Sequence, residues 1–213
     1  MIKLITGYGR SGTTFIAQNL NKINGVKCLH ESCKLYKEIY LGKNNKEFLK
    51  NYYQKLYDNN INIEVDSHYR TRLKDVKYIF EINKIYILIR NGKDVVRSAL
   101  NKPLPEWLNN YLNSLPGSTK LEKYCYCWIN DMKKLFNDIE KYNFNSTVYK
   151  FENFTSNVNY LKSMANEITG INTNIEFNIN KVNFTKSTVY DWKNKDDEIF
   201  EKIAGNFNKH LGY

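Results

Sequence analysis

Leu4-Ile5-Thr6-Gly7-Tyr8-Gly9-Arg10-Ser11-Gly12-Thr13-Thr14-Phe15-Ile16 is the stretch whose reading decides the fold. Met1 to Thr6 is a short apolar run suited to a strand. It breaks at a glycine-rich loop, and apolar residues at helical spacing follow from about Thr13 to Lys22. Strand, glycine loop and helix in that order give the outline of a phosphate-binding P-loop. Backbone N–H groups of such a loop converge on an anion, and the helix adds its positive N-terminus. Glycine lets the main chain approach the anion and adopt positive φ. Thr13 and Thr14 add hydroxyl donors. A nucleoside-triphosphatase loop places a lysine directly after its second glycine. Here that position is Thr13, and the basic residue is Arg10, inside the loop. Without the lysine the loop reads as poorly suited to a triphosphate. It suits a shorter anion, with one arginine covering the bridging oxygen and the terminal group.

Outward from the loop, Asn24-Gly25 is a turn signal, and Val26 to Leu29 a second strand ending at His30-Glu31. Residues 33–58 carry apolar residues at helical spacing and read as two helices broken near Gly42. Ile61 to Val65 is a strand ending at Asp66. A helix from about Lys74 to Ile82 precedes Ile85–Ile89, the most hydrophobic run, suited to a central strand buried on both faces. A helix begins after Asn91-Gly92 and ends before Pro103. Residues 103–117 hold all three prolines and Trp107, and read as a loop or lid. Thr119-x-x-Glu122 is a capping box opening a long helix, whose apolar stripe is Leu121, Cys125, Trp128, Met132, Leu135 and Ile139. Ser146 to Phe151 is a strand, 155–169 a helix, 170–190 irregular, and about Asp196 to Leu211 a terminal helix.

Strands alternating with helices predict an α/β fold: three layers, a mostly parallel sheet flanked by helices, P-loop nucleotide-binding-like, with residues 1–213 as one domain. In such sheets ligands sit beyond the carboxyl ends of the strands. Four polar clusters fall at predicted strand ends: Gly7–Thr14, His30-Glu31, Asp66–Arg70 and Arg90-Asn91. Their coincidence predicts one composite site.

Net charge is +10, from 32 basic and 22 acidic residues. This fits an anionic ligand: a phosphorylated cofactor, an acidic glycan or nucleic acid. Charge alone does not choose among them. No leader segment or apolar run of membrane length is visible, so the expectation is a cytoplasmic protein with no membrane partner. Cys28 and Cys33, and Cys125 and Cys127, have no common zinc spacing. They read as buried free thiols, with no metal ligands expected.

Beyond this bare phosphate loop, Gly-Tyr-Gly-Arg-Ser-Gly-Thr-Thr after an N-terminal strand resembles the 5′-phosphosulfate loop of sulfotransferases that use 3′-phosphoadenosine 5′-phosphosulfate (PAPS). It is most similar to the Pro-Arg-Ser-Gly-Thr-Thr form of tyrosylprotein and many bacterial or Golgi carbohydrate sulfotransferases, with Gly9 at the proline position. The family's second signature is an arginine ending a central strand and a serine eight residues on. Arg90 and Ser98 fit it, with Gly92 in place of a frequent proline. Phe184-Thr185-Lys186-Ser187-Thr188, before Asp191-Trp192, is similar to a segment that closes over the 3′-phosphate. Phe151-Glu152-Asn153-Phe154 resembles the family's Tyr-Glu-Asp-Leu segment. The resemblance implies PAPS as donor and the diphosphate PAP as product. It implies Gly9, Arg10, Ser11, Gly12, Thr13, Thr14, Arg90, Ser98, Lys186 and Ser187 as cofactor contacts, and no metal requirement.

The chemistry so implied is in-line sulfuryl transfer to a hydroxyl or amine of a glycan, tyrosine, lipid or small molecule. Arg10 would hold the departing oxygen. Glu31 is expected as the base, matching a glutamate of the tyrosylprotein enzymes, with His30 and His68 as competitors. Two other readings remain open. One is a P-loop small-molecule or nucleoside kinase, with Ile61–Asp66 as a strand ending in a Mg²⁺-linked aspartate and the missing lysine against it. The other is a non-catalytic polyanion or nucleic-acid binding module, although no recognised nucleic-acid motif appears and none is expected as partner. Neither the acceptor nor the oligomeric state is legible.

Overall fold

The computed structural model describes residues 2–31, 45–79, 82, 84–179 and 190–213. Five strands form one sheet: β1 (Lys3–Gly7), β2 (Cys28–His30), β3 (Ile63–Val65), β4 (Lys84–Ile89) and β5 (Asn145–Lys150), in the order β2-β3-β1-β4-β5. Each neighbouring pair is parallel. The sheet is therefore the α/β, P-loop-like architecture expected.

Side chains alternate across each strand, and the sheet thereby splits its apolar residues between two layers. Leu4, Ile85, Ile87 and Ile89 point to one face. It is covered by α2 (Asn45–Asp58), α3 (Leu73–Ile79), α4 (Gly92–Leu100) and the long α6 (Lys120–Lys141). Ile5, Ile63, Val65, Tyr86 and Leu88 point to the other. There α1 (Thr13–Leu20) and α8 (Val158–Thr169) bring Phe15, Ile16, Leu161, Met164 and Ile168. Leu4, Ile5, Ile85, Ile87 and Leu88 are fully buried, because β1 and β4 have a strand on either side.

Several element bounds differ from the sequence reading. Strand β2 begins at Cys28, so His30 belongs to it. Residues 103–117 are not one loop: α5 (Glu106–Asn113) lies within them, with Leu112 buried. Pro105 sits just before the helix, at φ −67°, where proline's fixed φ and missing N–H cost nothing. The prolines bracket this helix instead of abolishing one. After β5, α7 (Phe151–Ser156) precedes α8, and Asn157 Oδ1 accepts from Asn159 N and Tyr160 N to start α8. The C-terminal segment is α9 (Asn194–Phe200), a five-residue π turn over Glu201–Gly205, and α10 (Asn206–His210). The Thr119/Glu122 capping box is formed. The break expected near Gly42, together with Lys186 and Ser187, lies outside the described residues. Among the described residues no helix is long and apolar enough to cross a membrane.

Candidate functional site

The loop between β1 and α1 is shaped from below. Gly7 faces the neighbouring strand so closely that a Cβ would strike the Leu88 carbonyl. Tyr8 turns into the core, its hydroxyl 3.2 Å from Cys127 Sγ. The Arg70 guanidinium lies 4.7 Å from the centre of its ring. Arg70 is itself clamped by buried Asp131, at 2.7 Å. Ser11 N donates to the Tyr8 carbonyl across the loop. Arg10 has φ 79° and Gly12 φ 94°, left-handed conformations that turn the chain toward the helix. A Cβ on Gly12 would stand 2.7 Å from Phe151 Cδ2. The first amides of α1 have no partner within the helix and carry its positive end.

Two arginines stand over this loop. Arg10 Nε donates to Ser98 Oγ at 2.9 Å, and Arg90 Nη1 to the Arg10 carbonyl at 3.1 Å. Arg90 also stacks on the Phe151 ring, 4.4 Å from its centre. Partial desolvation and then the like charge of Arg90 lower the pKa of Arg10, against the pull of Glu31. Arg10 remains a cation, with an exposed side chain.

Opposite the arginines stand the ends of β2 and β3. His30 Nε2 lies 3.2 Å from Thr13 Oγ1 and 3.4 Å from Thr14 Oγ1. Glu31 follows in a left-handed conformation at φ 46°, its N–H bonded to the Val65 carbonyl. Its carboxylate accepts from Ser67 Oγ at 2.8 Å. Asp66, almost fully buried, caps the 3₁₀ turn Ser67–Thr71: Oδ1 accepts from His68 N and lies 2.8 Å from His68 Nδ1. Glu31, Asp66 and His68 each present a donor atom, all within 4.8 Å of one another. The His68 ring meets Trp107 of α5 edge to face, with centres 6.4 Å apart.

The four polar clusters of the sequence thus gather at one end of the sheet. Arg10, Ser98 and Arg90 form one wall; His30, Glu31, Asp66 and His68 form another; Ser11–Thr14 lie between. Sequence reasoning placed Asp66 and Ser67 in the site only as part of the Asp66–Arg70 cluster, with Asp66 as a Mg²⁺-linked aspartate in the kinase alternative, and assigned no contact to Phe151 or Trp107. An aspartate directly after an apolar strand was the available signal for Asp66. Phe151 and Trp107 are local only in space.

No family model matches the chain, and no curated protein matches it. Among solved structures it is similar to deoxyadenosine kinase from M. mycoides with bound dCTP. Identity is 17%, with 80% of this chain and 100% of that one covered and a TM-score of 0.46. A likeness at that level transfers no residue roles. The expected identification as a sulfotransferase, with PAPS as donor and PAP as product, is corrected accordingly: the solved structure found is described as a deoxyadenosine kinase with bound dCTP and not as a sulfotransferase. The geometry brings the two short motifs together. They are one assembly here, since Ser98 holds the loop's Arg10 and Arg90 holds the loop's main chain.

Proposed function

We propose that this chain is a P-loop phosphotransferase that moves the terminal phosphoryl group of a nucleoside triphosphate to a hydroxyl of a small acceptor such as a nucleoside. One observation carries the reading: an acidic group, Glu31 with Asp66, stands beside the phosphate loop, with Glu31 close enough to act on the charge of Arg10. Carboxylates next to an anion cradle repel a bare anion. The repulsion becomes attraction when a divalent cation lies between them, and a triphosphate brings one.

The remaining parts fit the demands of phosphoryl transfer, which is chiefly positioning and charge stabilisation. The loop amides and the start of α1 cradle the phosphates. Arg10 and Arg90 supply the positive charge that a loop lysine otherwise gives, with Arg90's planar group aligned by Phe151. The acceptor oxygen forms a bond to the terminal phosphorus as the bond to the bridging oxygen breaks. The acceptor's proton passes to a base at the end of β2, where Glu31 Oε1 and His30 Nε2 lie 3.9 Å apart. The nucleoside diphosphate leaves.

The test is transfer of labelled γ-phosphate from ATP and GTP to a panel of nucleosides and small alcohols, with Mg²⁺ or with EDTA. The expected result is acceptor-dependent transfer that EDTA abolishes. Glu31→Gln should turn over about 10²-fold more slowly, whether its carboxylate takes the acceptor's proton or holds the cation. Absence of nucleotide binding by calorimetry in the presence of Mg²⁺ would overturn the proposal.

A further inference from the structure

We propose that Glu31, Asp66 and His68 form a binding site for one divalent transition-metal ion, held by the protein itself in the absence of nucleotide. The site stands on its own geometry; only its part in catalysis would rest on the phosphotransfer reading.

Three observations converge. The donor atoms of the three side chains lie within 4.8 Å of one another. Ligands of one ion at about 2.0–2.2 Å are at most about 4.4 Å apart, so the set closes on an ion with side-chain shifts of a few tenths of an ångström. Asp66 Oδ1 and His68 Nδ1, at 2.8 Å, already have the separation of adjacent ligands. Independently, Asp66 Oδ2 is buried with no hydrogen-bond partner. A buried carboxylate oxygen is costly to leave unsatisfied, and a cation shared by both oxygens of Asp66 satisfies it. Finally, the ligands are aligned by their surroundings, as metal ligands commonly are: Ser67 Oγ donates to Glu31, Asp66 N donates to the Ile5 carbonyl, and Trp107 backs the imidazole.

The donor set selects the ion. Two carboxylates alone suit Mg²⁺ or Ca²⁺, but an imidazole nitrogen favours the borderline first-row ions, from Mn²⁺ to Zn²⁺. Three protein ligands leave open positions on the ion, as in a catalytic and not a structural site. An ion there takes up the Glu31 carboxylate. The acceptor's proton then falls to His30, beside the loop threonines.

The experiment titrates EDTA-treated, nucleotide-free full chain with Mn²⁺, followed by loss of the free aqua-ion EPR signal, with Zn²⁺ and Mg²⁺ as competitors. The expected result is one saturable Mn²⁺ per chain, displaced by Zn²⁺ and at least about ten-fold less effectively by Mg²⁺. Asp66→Asn and His68→Ala should each weaken binding at least about ten-fold. Asp66 also caps the turn through Oδ1, so Asp66→Asn can disturb the fold. His68→Ala keeps that cap, because the backbone N–H donates to it, and circular dichroism verifies its fold. Wild-type affinity in His68→Ala, Mg²⁺ competing as well as Zn²⁺, or no saturable binding would each overturn the proposal. A protein that binds Mn²⁺ here yet transfers no phosphate keeps the metal site and loses the phosphotransferase reading; the converse result does the reverse.

Discussion

Gly92→Ala adds one methyl group at a buried position, and it should disturb both stability and the site. A Cβ on Gly92 would stand 2.6 Å from Trp128 Cζ2 and Cζ3 and nearer still to Cη2. The indole cannot step aside, being 1% exposed and wedged between Phe207, with ring centres 5.3 Å away, and Phe200 at 6.1 Å. Nor does the backbone yield freely, since Gly92 N donates to buried Asn208 Oδ1 at 2.8 Å, tying the start of α4 to α10. Overpacking of this kind costs about 1–3 kcal/mol. At about 2–4 °C per kcal/mol for a chain of this size, the melting temperature should fall by about 2–12 °C. Residues 90 and 91 lie directly before the strained position, so on the proposed phosphotransferase reading nucleotide affinity should fall as well. Trp128→Phe removes the conflicting ring atoms. The double variant should therefore be less destabilised than the two single effects added, with a coupling of about 0.5–3 kcal/mol. Thermal and urea unfolding of the four proteins measure this. A Gly92→Ala protein melting within about 1 °C of wild type, or strict additivity in the double variant, would refute the packing argument.

Two further outcomes follow from shifted ionisations. Burial pushes the Cys28, Cys125 and Cys127 thiols up to about 12, so they should resist a thiol reagent at pH 8 in the folded protein and react in guanidinium; rapid native labelling at Cys125 or Cys127, found by mass mapping, would contradict this. Hydrogen bonds from the Thr119 backbone and from Ser118 hold the Glu122 carboxyl at about 2. A folded pKa below the unfolded one contributes stability that is complete above the ordinary carboxylate range and is lost as pH falls through the folded value. The difference in melting temperature between wild type and Glu122→Gln should thus be constant above about pH 5 and shrink from there toward pH 2; a difference unchanged by acid would rule out the capping contribution.

The fold was legible because its signals are local and periodic. Ile85–Ile89 reads as a strand buried on both faces and is one, with β1 and β5 on either side. Thr119 and Glu122 announce a helix start that chemistry alone requires. Residues 103–117 misled because proline was weighed as a breaker of structure, when Pro105 is tolerated where an N–H has no helical partner. The break between α7 and α8 escaped notice for a similar reason: Asn157 in a polar run is an unremarkable residue until its side chain caps two amides.

The candidate site was legible as a place and not as a chemistry. Strand ends and glycines located it, since in a parallel sheet the loops after β1, β2, β3 and β4 must meet at one end. The sign of the loop's charge was legible too. What a linear sequence conceals is which charges confront each other. Arg90 and Ser98 match a spacing, but in space both engage Arg10 and its main chain, which ties them to the phosphate loop. Asp66, 56 residues beyond Arg10, carries no motif that separates it from any aspartate after a strand. Only burial and the unsatisfied Oδ2 distinguish it. A wall of arginines and a wall of carboxylates face each other across one glycine loop. The proposed phosphotransfer would resolve that opposition, since its ligand presents negative charge to Arg10 and Arg90, and positive charge to Glu31 and Asp66. A phosphate chain with a divalent ion meets both conditions at once, whereas a bare anion meets only the first.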